Sequence, residues 1–448
     1  VKLLKIGISG VRGIVGETIT PELVMDFACA FGTSLDEGRV LVARDTRPSG
    51  PMLHKAVLSA LVSTGCDVLD LGVCPTPVLQ ALIHKFRAKG GIAISAGHNN
   101  AAWNALTFIN RDGTYLNDFQ GEEVLDIYHL ERFRKAPLSR LGKVKSQEGF
   151  LGSYFKRLAA FLDRPAIAAA GFKVVIDPCN GAGAGVVDLF CRALGCEIVP
   201  VNNEPSGYFP HDPEPRPRNA AEVSSIVRIA GADAGFLLSS DASRVSVVAE
   251  DGETLSEEYT FPIVASRRLE KEPGSIVTNL STSRMIEDVA AKYACPVIKA
   301  KVGQSHVIQV LLSEEGSIAG EGSGGVAVRS FQPAFDGFLA MGLVLEAMAA
   351  GRKKLSGLVQ ELPKYHIVKE KVYCPPSRVH SVMDGVEKLM EKDGPSLIDG
   401  VRVEGPDGWV HVRASGTEPM IRVVSENRSK EKAQEDLDRL TAFITQLV

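Results

Sequence analysis

Neither sign of charge dominates this chain: 50 basic against 54 acidic side chains leave a formal charge of −4 over 448 residues. That balance gives no case for a nucleic-acid or anionic-membrane partner, both of which reward a strongly basic surface. The one compact basic spot, Pro215-Arg216-Pro217-Arg218, has a proline between its arginines and reads as a solvated turn. Long apolar runs are missing as well. The most apolar helix candidate, Phe338 to Ala350, falls short of the roughly 20 residues a membrane span needs and carries Glu346. The first string, VKLLKIGISG, is interrupted by glycine too early for a signal peptide. Eight cysteines are present, but none form a Cys-x-x-Cys pair, and most sit among apolar residues. Such spacing suits free core thiols in a reducing compartment better than bridges or a zinc site, so a cytoplasmic protein is expected.

What the chain does contain is the composition of a soluble globular protein, 45% hydrophobic and 23% charged. Its length accommodates roughly three to four domains. Thr20 can cap a helix with Pro21 in its first position, and Leu23, Val24, Phe27, Ala28 and Phe31 make one apolar face. Val40 to Ala43 is a buried strand ending in Arg44-Asp45-Thr46-Arg47-Pro48-Ser49-Gly50. A helix to Ser63, a strand from Gly65-Cys66, and a helix opened by Thr76-Pro77 follow. The apolar run through Ile92 and Ile94 then delivers Ser95-Ala96-Gly97-His98-Asn99-Asn100, a polar loop with a helix-like segment expected beyond it.

This unit recurs. Lys173 to Asp177, Gly195 to Val199 and Ala234 to Leu238 repeat its strands, as do Ser275 to Asn279, Ala294 to Ile298 and Gly316 to Ala319. The same order three times predicts three similar α/β domains. The third strand of each copy ends in a distinctive loop: Ser95 to Asn100, Ser239 to Arg244, and Gly320 to Gly324. Ligands bind outside the carboxyl ends of strands in open α/β sheets, so these loops are expected to line one cleft. Leu362-Pro363-Lys364-Tyr365 marks the exit from the third domain. Strands near Val401 to Val403, Trp409 to Val412 and Ile421 to Val424, with a terminal helix, make a fourth.

The strongest chemical signal lies between those last strands, in Arg413-Ala414-Ser415-Gly416-Thr417-Glu418-Pro419. A guanidinium, two hydroxyls and a glycine permitting a backbone nest are the parts a phosphate dianion needs, and Arg422 adds a second fork. RASGTEPMIRV resembles the phosphate-binding loop of the α-D-phosphohexomutases, the phosphoglucomutase, phosphomannomutase and phosphoglucosamine mutase family. The resemblance spans essentially the whole chain. Ile8-Ser9-Gly10-Val11-Arg12-Gly13 is similar to the family's opening motif, whose arginine lies beside the reacting phosphate. Ala319 to Gly325 (AGEGSGG) resembles the sugar-binding loop, which assigns sugar hydroxyls to Glu321 and Ser323. Tyr208 to Pro215 and Leu355 to Val359 also match family strings. The resemblance implies three α/β domains with mixed sheets plus a C-terminal α+β domain around a central cleft. The expected boundaries are 1–143, 144–252, 253–366 and 367–448.

The departures bear directly on chemistry. The family's first loop reads Thr-Ala-Ser-His-Asn-Pro, and its serine carries the phosphoryl group. Gly97 stands at that position here, followed by His98. The family's proton-transfer lysine is matched by Thr107, whose hydroxyl is too weak an acid or base to replace it. The family's metal loop, Asp-Gly-Asp-x-Asp-Arg, is Ser239-Ser240-Asp241-Ala242-Ser243-Arg244 here, with one carboxylate left for Mg²⁺. Losing two of three charged oxygens is expected to weaken Mg²⁺ by several kcal/mol, on the order of what charge-assisted contacts supply. Gly325 replaces the histidine that usually follows Ser-Gly in the sugar loop. Ser95 is no substitute nucleophile, since in an extended segment it would lie roughly 6–7 Å from position 97. His98 supports the serine in the family and is expected to be an ordinary loop histidine here.

Loss of an essential nucleophile removes on the order of 10⁶ in turnover. The expectation is therefore a phosphohexomutase relative, catalytically silent, that retains hexose-phosphate binding through Arg12, Glu321, Ser323, Arg413, Ser415, Gly416, Thr417 and Arg422. Such a protein would act as a sensor or by pairing with a second copy or an active family member. The alternative is an active mutase using altered chemistry, for instance a non-covalent bisphosphate route.

Overall fold

The computed structural model describes residues 4–415 and 419–448. Gly416 and Thr417 lie outside the described residues, so their expected part in phosphate binding has no structural account.

Three sheets share one strand order. In the first, Trp103–Asn110, Gly90–Ile94, Gly38–Arg44 and Cys66–Val73 lie side by side; the hairpin Leu4–Gly7 and Gly10–Ile14 extends it on one edge and Val144–Ser146 on the other. In the second the order is Val245–Ala249, Ala234–Leu238, Lys173–Asp177, Glu197–Pro200. In the third it is Gly325–Val328, Ile318–Glu321, Ile276–Asn279, Val297–Ala300. Three neighbouring strands of each set are parallel, and the remaining one returns antiparallel. The central strands are buried on both faces, as continuous apolar runs such as Ala234–Leu238 require.

The returning strand corrects the sequence reading beyond Ser95. Residues 103–110 are a strand, not a helix-like segment. Gly97 takes φ +56° and helps reverse the chain, and Leu106 and Phe108 are buried in its pairing with Gly90–Ile94. Each polar loop therefore sits at a hairpin tip, held by a strand on either side.

The expected first helix is present and longer, Pro21–Ser34, with the Thr20 hydroxyl accepting from the Leu23 amide. The Phe338 to Ala350 segment lies inside Gly337–Gly351, a helix packed within the core. Its Glu346 is buried but paired with Arg267 and Lys271. No helix among the described residues is long and apolar enough to cross a membrane. All eight cysteines are free, and Cys66, Cys74, Cys179, Cys191 and Cys374 are buried.

The fourth sheet is wholly antiparallel, His366–Tyr373, Met420–Asn427, Gly408–Ala414, Val401–Glu404. The helices Val379–Met390 and Lys430–Leu447 cover one face and bury Val382, Val386, Leu437 and Leu440 against Val412 and Val423. The architecture is four-domain, three α/β units with mixed sheets and a C-terminal α+β unit.

Candidate functional site

Arg47 is fully buried and organises the first hairpin tip. Its guanidinium donates to the carbonyls of Gly97 (2.8 Å), Asn99 (2.6 Å) and Trp103 (3.0 Å), to that of Asn100, and to the Ser240 hydroxyl (3.3 Å). Asp45 pairs with it at 2.9 Å and balances the charge. A buried guanidinium whose donors all find oxygen atoms is tolerated where an unpaired one is not. Ser240 also donates to the Gly97 carbonyl at 2.6 Å, so the second unit's loop is tied directly to the first's.

The Ser95 hydroxyl donates to Asp45 Oδ2 at 2.7 Å and accepts from the Gly97 amide at 3.0 Å. The extended conformation expected for this segment is corrected: the chain turns at Gly97, whose amide reaches the Ser95 hydroxyl. Ser95 is nonetheless buried, with its proton committed to Asp45.

A cavity of about 350 Å³ opens in front of this loop. Arg12, Gly97, His98, Thr107, Asp241 and Ser243 all line it, as do Lys5, Arg244 and Gly303 to Ser305. Arg12 donates to Asn99 Oδ1 at 2.9 Å, and Arg244 donates to His98 Nδ1 at 3.1 Å. Burial, then the charges of Arg244 and Arg12, hold the His98 imidazole well below its ordinary value, so it is neutral at pH 7. Burial and Arg244 likewise lower Arg12. Beyond burial, Arg244 contributes to both shifts, and with Arg12 it puts positive charge at the cavity wall, which favours an anion.

Asp241 Oδ1 accepts from the Ser239 hydroxyl (2.7 Å), the Ser243 hydroxyl (2.8 Å) and the Ser243 amide (3.1 Å). A side chain placed on Gly97 would bring its Cβ within 3.2 Å of the other oxygen, Oδ2. Three carboxylates on this loop would repel one another and call for a cation. Two hydroxyls and one carboxylate instead satisfy each other by hydrogen bonding. Among the described residues, no group of three or more His, Cys, Asp or Glu side chains is placed to hold a metal ion.

Glu321 and Ser323 lie in the third unit's loop, outside the wall of that cavity but connected to it. Glu321 is buried, accepts from the cavity-lining Gly303 amide at 3.0 Å, and takes a 3.3 Å contact from the Ser323 hydroxyl. Gly325 has no room for a larger residue, because a Cβ would fall 2.3 Å from the Phe335 ring.

In the fourth unit Arg413 and Arg422 are directly opposed on neighbouring strands, and the Ser415 amide closes the hairpin onto the Met420 carbonyl at 2.8 Å. Arg413 is lowered by burial and then by Arg422. Arg422 is also among the charges that depress His98, which places it within electrostatic reach of the cavity.

Two contributors escaped the sequence reading. Arg244 closes the metal-type loop and projects into the cavity, and Arg47 holds both hairpin tips. The signal for Arg47 was present in Asp45-Thr46-Arg47 at a strand's carboxyl end, the position that supplies site residues in such sheets. Arg216, expected in a solvated turn, is half-buried, donates from Nη2 to Glu214 Oε1 at 2.9 Å, and contributes to the depression of His98.

Comparisons with known proteins agree with this arrangement along the chain. Residues 3–135, 152–252 and 256–365 match models of the phosphoglucomutase/phosphomannomutase alpha/beta/alpha domains I, II and III, and 371–442 matches the C-terminal domain of that family. A phosphoglucomutase/phosphomannomutase of Thermococcus kodakarensis is 38% identical, with 96% of each chain covered. A probable phosphoglucosamine mutase of Methanopyrus kandleri is 35% identical over 99% of this chain and 98% of the relative. A solved phosphoglucomutase/phosphomannomutase family protein from Burkholderia thailandensis superposes with a TM-score of 0.85 at 26% identity, covering 98% of this chain and 97% of that one. The chain belongs to the phosphoglucomutase/phosphomannomutase family, the α-D-phosphohexomutases.

Proposed function

We propose that this family member binds a hexose phosphate in its cleft and does not run a serine-borne phosphoryl relay. The observation that carries the reading is the pairing of two losses at one point. Gly97 offers no side-chain oxygen, and one oxygen of the adjoining Asp241, Oδ1, is taken by the hydroxyls that stand where the family has two carboxylates. We infer that this donor set does not suit Mg²⁺, which dehydrates reluctantly and favours charged oxygens.

The binding parts are retained. Arg413, Ser415 and Arg422 supply donors for one phosphate, Glu321 and Ser323 supply oxygens for sugar hydroxyls, and Arg12 and Arg244 supply positive charge at the other end. The domain partition 1–143, 144–252, 253–366 and 367–448 goes with this reading, each unit contributing one loop. A cytoplasmic location and a role as sensor or partner subunit are part of the same proposal. A second reading, an active mutase with altered chemistry, draws on Asp241 Oδ2, which faces position 97.

The test is an assay with glucose 1-phosphate, mannose 1-phosphate or glucosamine 1-phosphate, a hexose bisphosphate and Mg²⁺, run beside calorimetric titration. Binding without turnover is expected. Turnover at ordinary enzyme rates would establish the second reading, and absence of binding would overturn the first.

A further inference from the structure

Behind the sugar loop sits a carboxylate that neither the phosphate nor the metal-type loop accounts for. Glu258 lies in the short turn Glu257–Tyr259 and is 1% exposed. Its carboxylate occupies the space beside Gly322 that a side chain would fill: a Cβ on Gly322 would come within 1.8 Å of Oε2. Oε2 accepts from the Ser283 amide at 3.1 Å, and the neighbouring Thr282 hydroxyl accepts from the Gly322 amide at 3.3 Å. Oε1 accepts from Lys369 at 2.7 Å. Lys369 belongs to the fourth unit, on the strand where Lys371 stands opposite Arg422.

We propose that Glu258 is a positioning residue that couples the sugar loop to the phosphate-binding strand, so that a ligand spanning both gains affinity from it. The inference rests on the hexose-phosphate reading above. Glu258 touches the loop at Gly322 and, through Lys369, the strand paired with Arg422; displacing either end displaces the other. Burial pushes the Glu258 carboxyl up to about 7 although Lys369 pulls the other way, with Glu257 the further charge facing it. Its folded value lies above its ordinary one, so ionised Glu258 opposes folding at and above neutral pH. Perturbed groups of this kind concentrate at functional sites.

Calorimetry on the full chain with two probes tests this. Glucose 1-phosphate reaches both loops, whereas methyl phosphate carries the same anion without the sugar. Glu258→Gln is expected to weaken glucose 1-phosphate at least fivefold and methyl phosphate less than twofold. Lys369→Met, on a solvent-facing strand, should do the same should the Gln variant fold poorly, and the double variant should be no weaker than the weaker single one. The ratio of the two affinities in the wild type should change between pH 6 and pH 8 and be flat in Glu258→Gln. Equal losses for both probes, or none, would overturn the coupling while leaving the binding reading standing. No binding of either probe by the wild type would overturn both.

Discussion

Arg413 and Arg422 face each other directly across two antiparallel strands, a pairing of like charges that Asp399 and Glu321 offset in part at Arg413. An anion between them turns that repulsion into two sets of charge-assisted hydrogen bonds. Arg413→Gln is therefore expected to weaken a hexose monophosphate by about ten- to a hundredfold, from ~1.5–3 kcal/mol per charged contact. The same variant should leave thermal stability unchanged or slightly raised. Calorimetry with a parallel melting curve checks both, and a large drop in melting temperature would mean that Arg413 serves the fold instead.

Asp241 makes the contrast at the other end of the cleft. Its three donors, two hydroxyls and an amide, all come from the two serines that stand where the family has carboxylates. Addition of Mg²⁺ should leave the wild-type melting temperature where it is. The double variant Ser239→Asp, Ser243→Asp should be less stable without the ion, through carboxylate repulsion, and should gain several degrees on adding it. A wild-type shift at submillimolar Mg²⁺ would show that one carboxylate and two hydroxyls suffice.

Gly97→Ser puts a hydroxyl back without restoring the rest. At φ +56° a side chain costs about 1 kcal/mol, and its Cβ would press on Asp241 Oδ2 at 3.2 Å. Modest destabilisation and no turnover are expected, since Thr107 and the Asp241 cluster are unchanged. Robust mutase activity in this single variant would mean that the metal loop and the lysine position matter less than their chemistry suggests.

Arg47 should be far less tolerant. Replacing it by methionine takes the guanidinium donors from several loop carbonyls and the counter-charge from the buried Asp45 carboxylate, a loss of about 3–5 kcal/mol. Urea denaturation measures it, and ligand affinity should fall together with stability because the Gly97 loop loses its anchor.

His411 supplies a pH dependence with a defined sign. It is fully buried between Ser281 and the Asp399 carbonyl, and burial pushes it down to about 4. Between pH 4 and 6.5 the unfolded chain binds the extra proton, so stability is full above 6.5 and is lost as pH falls toward 4. The loss is about 3 kcal/mol at most, from roughly 1.4 kcal/mol per unit. His411→Gln should flatten that part of the stability profile, followed by denaturant midpoints across the range.

Much of this protein is legible in its amino-acid sequence. The three-fold order of strand, polar loop and helix follows from apolar runs broken by glycine and proline, because burial on both faces leaves a central strand no polar positions. The identity of the loop residues, and with it the missing oxygen at Gly97 and the missing charges at Ser239 and Ser243, is a property of the chain alone. So is the Arg413 to Pro419 string, whose guanidinium, hydroxyls and glycine are the residue types on which the phosphate-binding proposal rests.

Only tertiary structure decided which of these act together. That Arg47 ties two units' hairpin tips to one another, and that Glu258 fills the notch at Gly322, depends on contacts between residues far apart in sequence. Periodicity reports which face of an element is buried, not which neighbour covers it. The strand at 103–110 was misread for the same reason: its partner across the hairpin, and not its local pattern, settles its conformation.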